Sequence, residues 1–303
     1  MLSFQSRQRL ISACVVASAR IAVAAEPTEQ PEIKPTTFIL GGDASYAFDA
    51  DIGDFGSFSV FRTGGSLSIN SPLNAAADLR VVLDGEYSHY FFNDFSAVPG
   101  ADGSDSLDAY QFGVRPSYSH YFSPNFGVFG GVSVNAAGMA EADIGESLTY
   151  GVFAGFNYQV APKVWVGAGF AVTTELEDGA FAVPLLTLNW AVTPNLLLSS
   201  EGLGLKATYT IDDAWAVYIR GRYEWRQFRL DSGEVLSEGV LTDQSVPITV
   251  GVTYDLDDKL SFSAEAGVVA YRRLEFTESD GDEFGADEAD PAGFLSVRVQ
   301  YTF

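Results

Sequence analysis

The feature that most constrains this chain is an alternation of apolar and polar residues, repeated in runs of about ten residues from Phe38 onward. Successive side chains of a β-strand point to opposite faces, so a period of two predicts strands with one apolar and one polar face. In the last run the apolar residues are Leu295, Val297, Val299, Tyr301 and Phe303, and the polar residues are Ser296, Arg298, Gln300 and Thr302. A content of 30 Gly, 23 Phe and 14 Tyr also suits short strands and turns better than helices. The chain is therefore predicted to be all-β.

The connections between these runs separate a membrane barrel from a soluble sandwich, because both show the same alternation. Short connections alternate with longer, acidic, Gly-rich ones. The short ones are Ser71-Pro72-Leu73-Asn74, Ser123-Pro124-Asn125, Ala161-Pro162-Lys163, Thr193-Pro194-Asn195, Asp212-Asp213 and Asp257-Asp258-Lys259, and the long ones lie around 49–56, 94–106, 138–147, 175–180, 231–244 and 277–291. Tight turns at one end and long loops at the other are typical of an antiparallel up-and-down transmembrane β-barrel.

This alternation of short and long connections predicts fourteen strands, an even number that places both chain ends on the short-turn, periplasmic side. Segment 195–211 must hold two short strands around Glu201-Gly202; without that hairpin the barrel has twelve strands. The predicted strands are 38–48, 57–70, 76–92, 107–122, 126–137, 148–160, 164–174, 182–192, 195–201, 203–211, 215–230, 245–256, 260–276 and 291–303.

The N-terminus has the pattern of a signal peptide, which we place at residues 1–25: basic residues, an apolar stretch and small residues at its end. Cys14 falls within this segment, so the mature chain is expected to contain no cysteine. Residues 26–37, with three prolines, are predicted to be an extended periplasmic lead-in to a barrel at 38–303. Subtracting the three arginines of the signal peptide from 17 Lys+Arg leaves 14 basic against 40 acidic residues, a net charge of −26. This charge argues against a nucleic-acid partner.

The C-terminal residue Phe303, with Tyr301 and further apolar residues at every second position before it, resembles the assembly signal of bacterial outer-membrane β-barrel proteins. In that family the last strand is recognised by the barrel-assembly machinery. More loosely, residues 202–231 and 245–256 resemble uncharacterised, porin-like envelope barrels. The resemblance implies a cell outer membrane location, with outer-membrane lipid and the assembly machinery as partners.

With the apolar face of each strand assigned to lipid, the opposite face is predicted to look into the lumen, since a charge facing lipid at the midplane costs about 2–4 kcal/mol. The strand at 215–230 places three arginines inward, which would form a ladder. The predicted pore-lining residues are Arg220, Arg222, Glu224, Arg226, Asp78, Arg80, Asp84, Glu86, Arg115, Glu265, Arg273, Glu275 and Arg298. Two interpretations stay open: a transverse field across a water-filled pore, or a network of ion pairs that closes the barrel.

Aromatic residues on the outward face are predicted to mark the two membrane interfaces. The pentapeptide YSHYF occurs twice and contains both histidines, His89 and His120, which pairing about a loop centre near 99–100 places opposite Tyr110 and Leu79. The histidines are then too far apart to share a metal ion or a proton. The predicted interface aromatics are Tyr87, Phe91, Tyr118, Phe122, Trp215, Trp225 and Tyr301.

A porin-like channel for passive diffusion of small polar solutes or ions is the function these patterns favour, with a preference for cations at acidic mouths. A non-conducting structural or adhesive barrel is the alternative, and a lipid-modifying enzyme a weaker one. Ser88 and Ser119 neighbour the histidines but point to the opposite face, so no catalytic triad forms, and no catalytic motif, cofactor or metal site is predicted. The sequence leaves monomer and homo-oligomer open.

Overall fold

The computed structural model describes residues 35–53, 56–93, 106–177, 179–231, 238–279 and 281–303. The signal peptide predicted at 1–25 and most of the lead-in predicted at 26–37 lie outside these ranges. Within them, no helix is both long enough and apolar enough to cross a membrane.

The described residues form sixteen β-strands in one antiparallel sheet. Their bounds are β1 Thr37–Asp51, β2 Ser57–Asn74, β3 Ala77–Asn93, β4 Ser106–Ser123, β5 Phe126–Met139, β6 Leu148–Ala161, β7 Val164–Thr174, β8 Ala180–Ala191, β9 Leu196–Ser200, β10 Gly204–Thr210, β11 Trp215–Arg222, β12 Glu224–Arg229, β13 Val240–Asp255, β14 Leu260–Thr277, β15 Glu283–Ala289 and β16 Ala292–Thr302.

The sheet closes into a barrel because β1 pairs with both β2 and β16. Two positions in the wall are occupied by broken strands: β11 and β12 both pair with β13, and β15 and β16 both pair with β14. Counting each broken strand once gives a closed 14-strand antiparallel barrel, as predicted. The hairpin at 195–211 exists as β9 and β10, so the twelve-strand alternative is wrong.

The short turns are held by side chains that accept hydrogen bonds from the backbone two or three residues on. Asp212 Oδ1 accepts from the N–H groups of Ala214 and Trp215 at 2.8 and 2.9 Å. Asp257 Oδ1 accepts from the N–H groups of Lys259 and Leu260, both at 2.8 Å, and these backbone bonds lower the pKa of Asp257. The aspartates of the short connections therefore determine where the chain reverses.

Large apolar side chains are exposed on the outer surface of the barrel, as a lipid-facing wall requires. Phe112 is 63% exposed, Leu186 72% and Val250 62%. Directly paired residues of an antiparallel ladder share a face, so the pairs Leu83↔Val114 and Ile219↔Val250 follow this outer surface from strand to strand. The polar residues between them line the interior.

A β-bulge in β14 changes which residues face the interior. The register moves from Val246↔Tyr271 to Pro247↔Val269, so Ala270 is an extra residue in β14. Below it Glu265 and Val269 face in, whereas above it Arg272 is 3% exposed on the interior face. Arg273 and Glu275 consequently lie on the outer face, and their predicted inward placement is wrong. They pair with each other at 3.3 Å.

Two long loops predicted from acidic composition are shorter than expected, because the strands that flank them continue into the predicted loop. β13 begins at Val240 instead of 245, and Glu283–Ala289 forms β15 within the predicted loop at 277–291. β15 pairs with Arg272–Thr277 of β14, so most of this acidic segment is a strand extension.

Candidate functional site in the barrel interior

A layer of charged side chains crosses the barrel interior, and we call it the cross-barrel cluster. It joins β2 and β3 to β11, β12, β13 and β14, and β11 and β12 lie across the barrel from β3. Its members are Arg62, Glu86, Tyr90, Arg222, Glu224, Arg226, Asp243 and Arg272.

Asp243 is the most buried carboxylate of this cluster, with an exposure of 0%. Its Oδ2 accepts hydrogen bonds from Arg62 Nη2 at 2.5 Å and Arg272 Nη2 at 2.7 Å, and from the Tyr90 hydroxyl at 3.0 Å. A buried charge needs partners of opposite charge and further hydrogen bonds, and Asp243 has both.

Arg226 connects β12 to β3 across the lumen. Its Nε and Nη2 donate to the two oxygens of Glu86 at 2.7 and 3.1 Å, a bidentate arrangement. Its Nη1 donates to Glu224 at 2.7 Å, and Glu224 also accepts from Arg222 Nε. Two carboxylates and two guanidinium groups therefore alternate along one chain of contacts.

Above the cluster, toward the long-loop end, the interior is filled by apolar side chains, which we call the apolar plug. Phe58, Val60, Phe228 and Leu241 are each 0% exposed. The remaining members of the plug are Ile52, Tyr90, Phe92, Ala109, Ala137, Leu230, Leu274 and Phe276. The plug and the cross-barrel cluster together occupy the long-loop half of the barrel.

Below the cluster, toward the short-turn end, the interior is polar and more open to water. Arg115 pairs with Asp84 at 2.6 Å on the adjacent strand, and its side chain is 47% exposed. Deeper in the wall, Arg220 pairs with Glu265, which also accepts from Tyr218 and Thr249 at 3.2 and 3.0 Å. These ion pairs run along the wall and do not cross the lumen.

Eleven of the predicted lumen residues share the interior face, according to the registers and burial just described. These are Asp78, Arg80, Asp84, Glu86, Arg115, Arg220, Arg222, Glu224, Arg226, Glu265 and Arg298. Two of them, Glu86 and Arg226, meet across the lumen in direct contact. At this level the network of ion pairs is present, and the water-filled gap between opposite charges is not.

Sequence reasoning missed Arg62, Tyr90, Asp243 and Arg272, which form the most buried part of the cluster. Asp243 lies in the loop predicted at 231–244, and Arg272 is not among the residues predicted to line the lumen, where its neighbour Arg273 was placed. Pro247 was the available signal, because proline within a sheet is confined to edge strands and bulges. A bulge there exchanges the faces of Arg272 and Arg273.

The wall from β5 to β7 has an interior face of glycines and aromatic rings. Phe129 lies over Gly155 and Phe153 over Gly131, where a Cβ would stand 2.6 and 2.5 Å from the ring atoms. The glycines therefore leave room for rings that lie flat against neighbouring strands.

The two histidines lie on the outer surface, as predicted, but the pairing is shifted by two residues: His89 lies opposite Asp108 and His120 opposite Ala77. A shift of two preserves the face, and it arises because the ladder, not the midpoint of the loop, sets the register. Asp108 Oδ1 contacts His89 Nδ1 at 2.5 Å and accepts from the Tyr87 hydroxyl at 2.6 Å. Ser88 is buried on the interior face, away from His89.

Most of the predicted interface aromatics lie on the outer surface, where Phe91, Tyr118, Phe122 and Trp215 are 41%, 44%, 65% and 44% exposed. Trp225 is different. Its ring packs against Phe181 of β8 with a centroid distance of 4.5 Å, and Phe181 points to the interior side of β8. Trp225 pairs with Gln244, which pairs with Arg273 on the outer face, so Trp225 keeps the outward direction that alternation predicts while Phe181 covers its ring.

A closed barrel with an apolar exterior and an ionised interior defines the class: this is a transmembrane β-barrel protein of the bacterial outer membrane. A family model described as a domain of unknown function, DUF6268, matches residues 125–302. The chain belongs to the DUF6268 family.

Solved structures similar to this chain are outer-membrane barrels. The COG4313 outer membrane channel from Pseudomonas putida F1 has a TM-score of 0.48 and 10% identity, with 93% of this chain and 100% of that chain covered. The TodX monoaromatic hydrocarbon channel deltaS2 mutant has 0.42 and 8%, covering 90% and 91%, and the KdgM porin has 0.34 and 12%, covering 87% and 99%. No curated protein matches this sequence.

Proposed function

We propose that this barrel is an outer-membrane channel for small solutes, with polar molecules and ions as the class that its charged interior favours. The observation that carries the proposal is a change along the lumen from water-exposed polar side chains to directly paired charges. A polar, partly exposed interior around Asp84 and Arg115 leads up to a layer of paired charges around Glu86 and Arg226.

The cross-barrel cluster is the gate of this channel. β12 has a backbone ladder with β13, and in the described part of the chain its other backbone pairing is Arg229↔Gly138 with β5. The ion pair Arg226–Glu86 and the packing of Phe228 on Tyr90 hold the middle of β12 against β3, while Arg229 anchors its end to Glu177. Loss of that pair would let β12 and the apolar plug move together.

The gate predicts that the open probability of the double variant Glu86→Gln, Arg226→Gln in planar lipid bilayers is at least about tenfold that of the wild type. One charge-assisted contact contributes about 1.5–3 kcal/mol, and about 1.4 kcal/mol corresponds to a factor of ten. Both charges are removed together, so the net charge is unchanged, and Glu224, which also loses Arg226, keeps Arg222 as its partner. The measurement is single-channel current and open probability in potassium chloride.

The matched control is Asp84→Asn, Arg115→Gln. It removes an ion pair whose carboxylate also lies on β3 but which joins adjacent strands and does not cross the lumen. We expect its currents to equal those of the wild type. An acidic chain should also prefer potassium over chloride, because negative mouths concentrate cations. The absence of current from the Glu86, Arg226 double variant would contradict the channel proposal.

A non-conducting structural barrel is the second candidate. It is supported by the apolar plug, in which Phe58, Val60, Phe228 and Leu241 leave no exposed surface. Under this alternative neither double variant conducts, and liposomes containing the protein show no sugar-driven swelling.

A further inference from the structure

The wall of the barrel is incomplete between β8 and β12. A transmembrane strand needs about 9–11 residues, whereas β9 has 5 and β10 has 7. β9 pairs with β8 only at 189–191, and β10 ends its ladder with β11 at Gly204↔Arg222. The hairpin of β9 and β10 therefore fills only the lower part of the wall.

Above this hairpin two strand edges face each other without a ladder. In the described residues, 180–188 of β8 pair only with β7, and 224–228 of β12 pair only with β13. β12 then leans inward, since Arg229 reaches Gly138 of β5, three strands beyond β8. The five residues 224–228 of β12 correspond to roughly 17 Å of edge without a second ladder.

The gap lies at the depth of the hydrocarbon layer. The hairpin of β7 and β8 has strands of 11 and 12 residues, just long enough to span, so the free edge of β8 covers most of that depth. Leu186, 72% exposed on the outer face of this edge, faces lipid. Open sheet edges are not found in lipid unless they line a cavity or are covered by protein.

Pro184 reduces the polarity of the free edge. The N–H of Leu188 points toward β9, where it donates to Ser200 Oγ at 3.0 Å. N–H groups alternate in direction along a strand, so residue 184 would point its N–H to the same side, into the gap. Proline has no N–H, and one donor that would otherwise face the gap is absent.

The space behind the gap, which we call the lateral cleft, is apolar on both sides. One side is the interior face of β6 to β8, and the other is the back of β12, whose front face packs into the apolar plug through Phe228. These side chains are half-buried, and the two sides of the cleft meet where the rings of Trp225 and Phe181 stand edge to face at 4.5 Å. The half-buried side chains are Phe153, Ala171, Phe181, Val183, Leu185 and Trp225.

The floor of the lateral cleft is polar. Glu201, at the tip of the β9–β10 hairpin, pairs with Lys206 at 3.4 Å and Arg220 at 3.5 Å. Nearby on the interior face, Trp165 Nε1 and Thr208 Oγ1 are buried and have no hydrogen-bond partner within the described part of the chain. The cleft therefore connects a lipid-facing opening to the polar interior below the cross-barrel cluster.

We infer that the lateral cleft admits small, largely apolar molecules from the outer leaflet of the membrane and leads them into the barrel interior. Entry through the wall bypasses the apolar plug, which closes the axial route. The onward passage rests on the proposed channel function, whereas binding in the cleft does not.

The test uses the full chain in lipid nanodiscs with Trp225 as the single tryptophan, after Trp165, Trp190 and Trp215 are changed to Phe. The probe is 1-bromohexane, whose bromine quenches tryptophan fluorescence on contact. We expect saturable quenching of Trp225. A matching protein that keeps only Trp190, on the outer face of β8, should show quenching that rises linearly with the probe in the lipid.

Ala171→Phe places a ring inside the cleft, and Ala168→Phe places the same ring on the lipid side of the same strand. We expect the first to weaken the saturable quenching by about tenfold, which is about 1.4 kcal/mol, and the second to leave it unchanged. Leu185→Phe and Leu186→Phe form a second inward and outward pair, used if Ala171→Phe loses its heat-dependent shift in gel mobility.

Linear quenching of Trp225, or equal effects of the inward and outward variants, would overturn the lateral cleft as an entry site. Ion currents of the Glu86, Arg226 double variant are measured separately. If the barrel conducts but Trp225 shows no saturable quenching, the channel proposal stands and the proposal of lateral entry is rejected. If Trp225 shows saturable quenching but no variant conducts, the proposal of a binding cleft stands and the channel proposal is rejected.

Discussion

Changing Asp243 to asparagine is expected to destabilise the barrel by about 3–5 kcal/mol, because removing one partner of a buried ion network leaves the others uncompensated. Arg62 and Arg272, 5% and 3% exposed, both direct a guanidinium group at Asp243. The amide keeps the shape of the carboxylate and loses its charge. The urea midpoint of unfolding in detergent micelles, followed by tryptophan fluorescence, measures the effect.

Asp84→Asn is the matched control for Asp243→Asn. Asp84 also pairs with an arginine, but the Arg115 side chain is 47% exposed and water compensates for the lost partner. An exposed pair contributes less than about 1 kcal/mol. Equal losses in the two variants would mean that burial does not distinguish the cross-barrel cluster from the ion pairs along the wall.

Changing Phe228 to alanine is expected to cost about 3–5 kcal/mol, the range for removing a buried phenyl group from a packed core. Phe228 is 0% exposed, and its ring stands edge to face with Tyr90 at 6.3 Å. The cavity would lie in the apolar plug directly beside the cross-barrel cluster. Ion currents should therefore rise together with the loss of stability, which thermal unfolding on gels records.

Phe170→Ala removes the same group from the lipid-facing surface, where Phe170 is 55% exposed. Lipid chains can occupy the space left by that ring, so a smaller loss of stability and unchanged currents are expected. A rise in current for Phe170→Ala equal to that for Phe228→Ala would show that conduction does not depend on the apolar plug.

Alternation and turn chemistry were enough to predict the barrel, its fourteen strands and the face of most charged residues. The prediction succeeded for Arg220 and Glu86 because their strands keep an unbroken period of two up to those positions. It failed for Arg273 because one extra residue at Ala270 inverts every face beyond it. For Trp225 alternation gave the outward direction, but β12 leans toward β5 after Tyr223, so the back of β12 meets Phe181 of β8.

The sequence by itself determined the class of protein, because side-chain direction along a strand is local and repeats every two residues. It also determined where the short turns fall, since Asp212 and Asp257 bond to backbone groups only two or three residues away. Only the tertiary structure decided that Asp243 lies between Arg62 and Arg272, and that β8 and β12 face each other across a gap. Those contacts join residues far apart in the chain, and no local periodicity encodes which strands meet across the interior of a closed barrel.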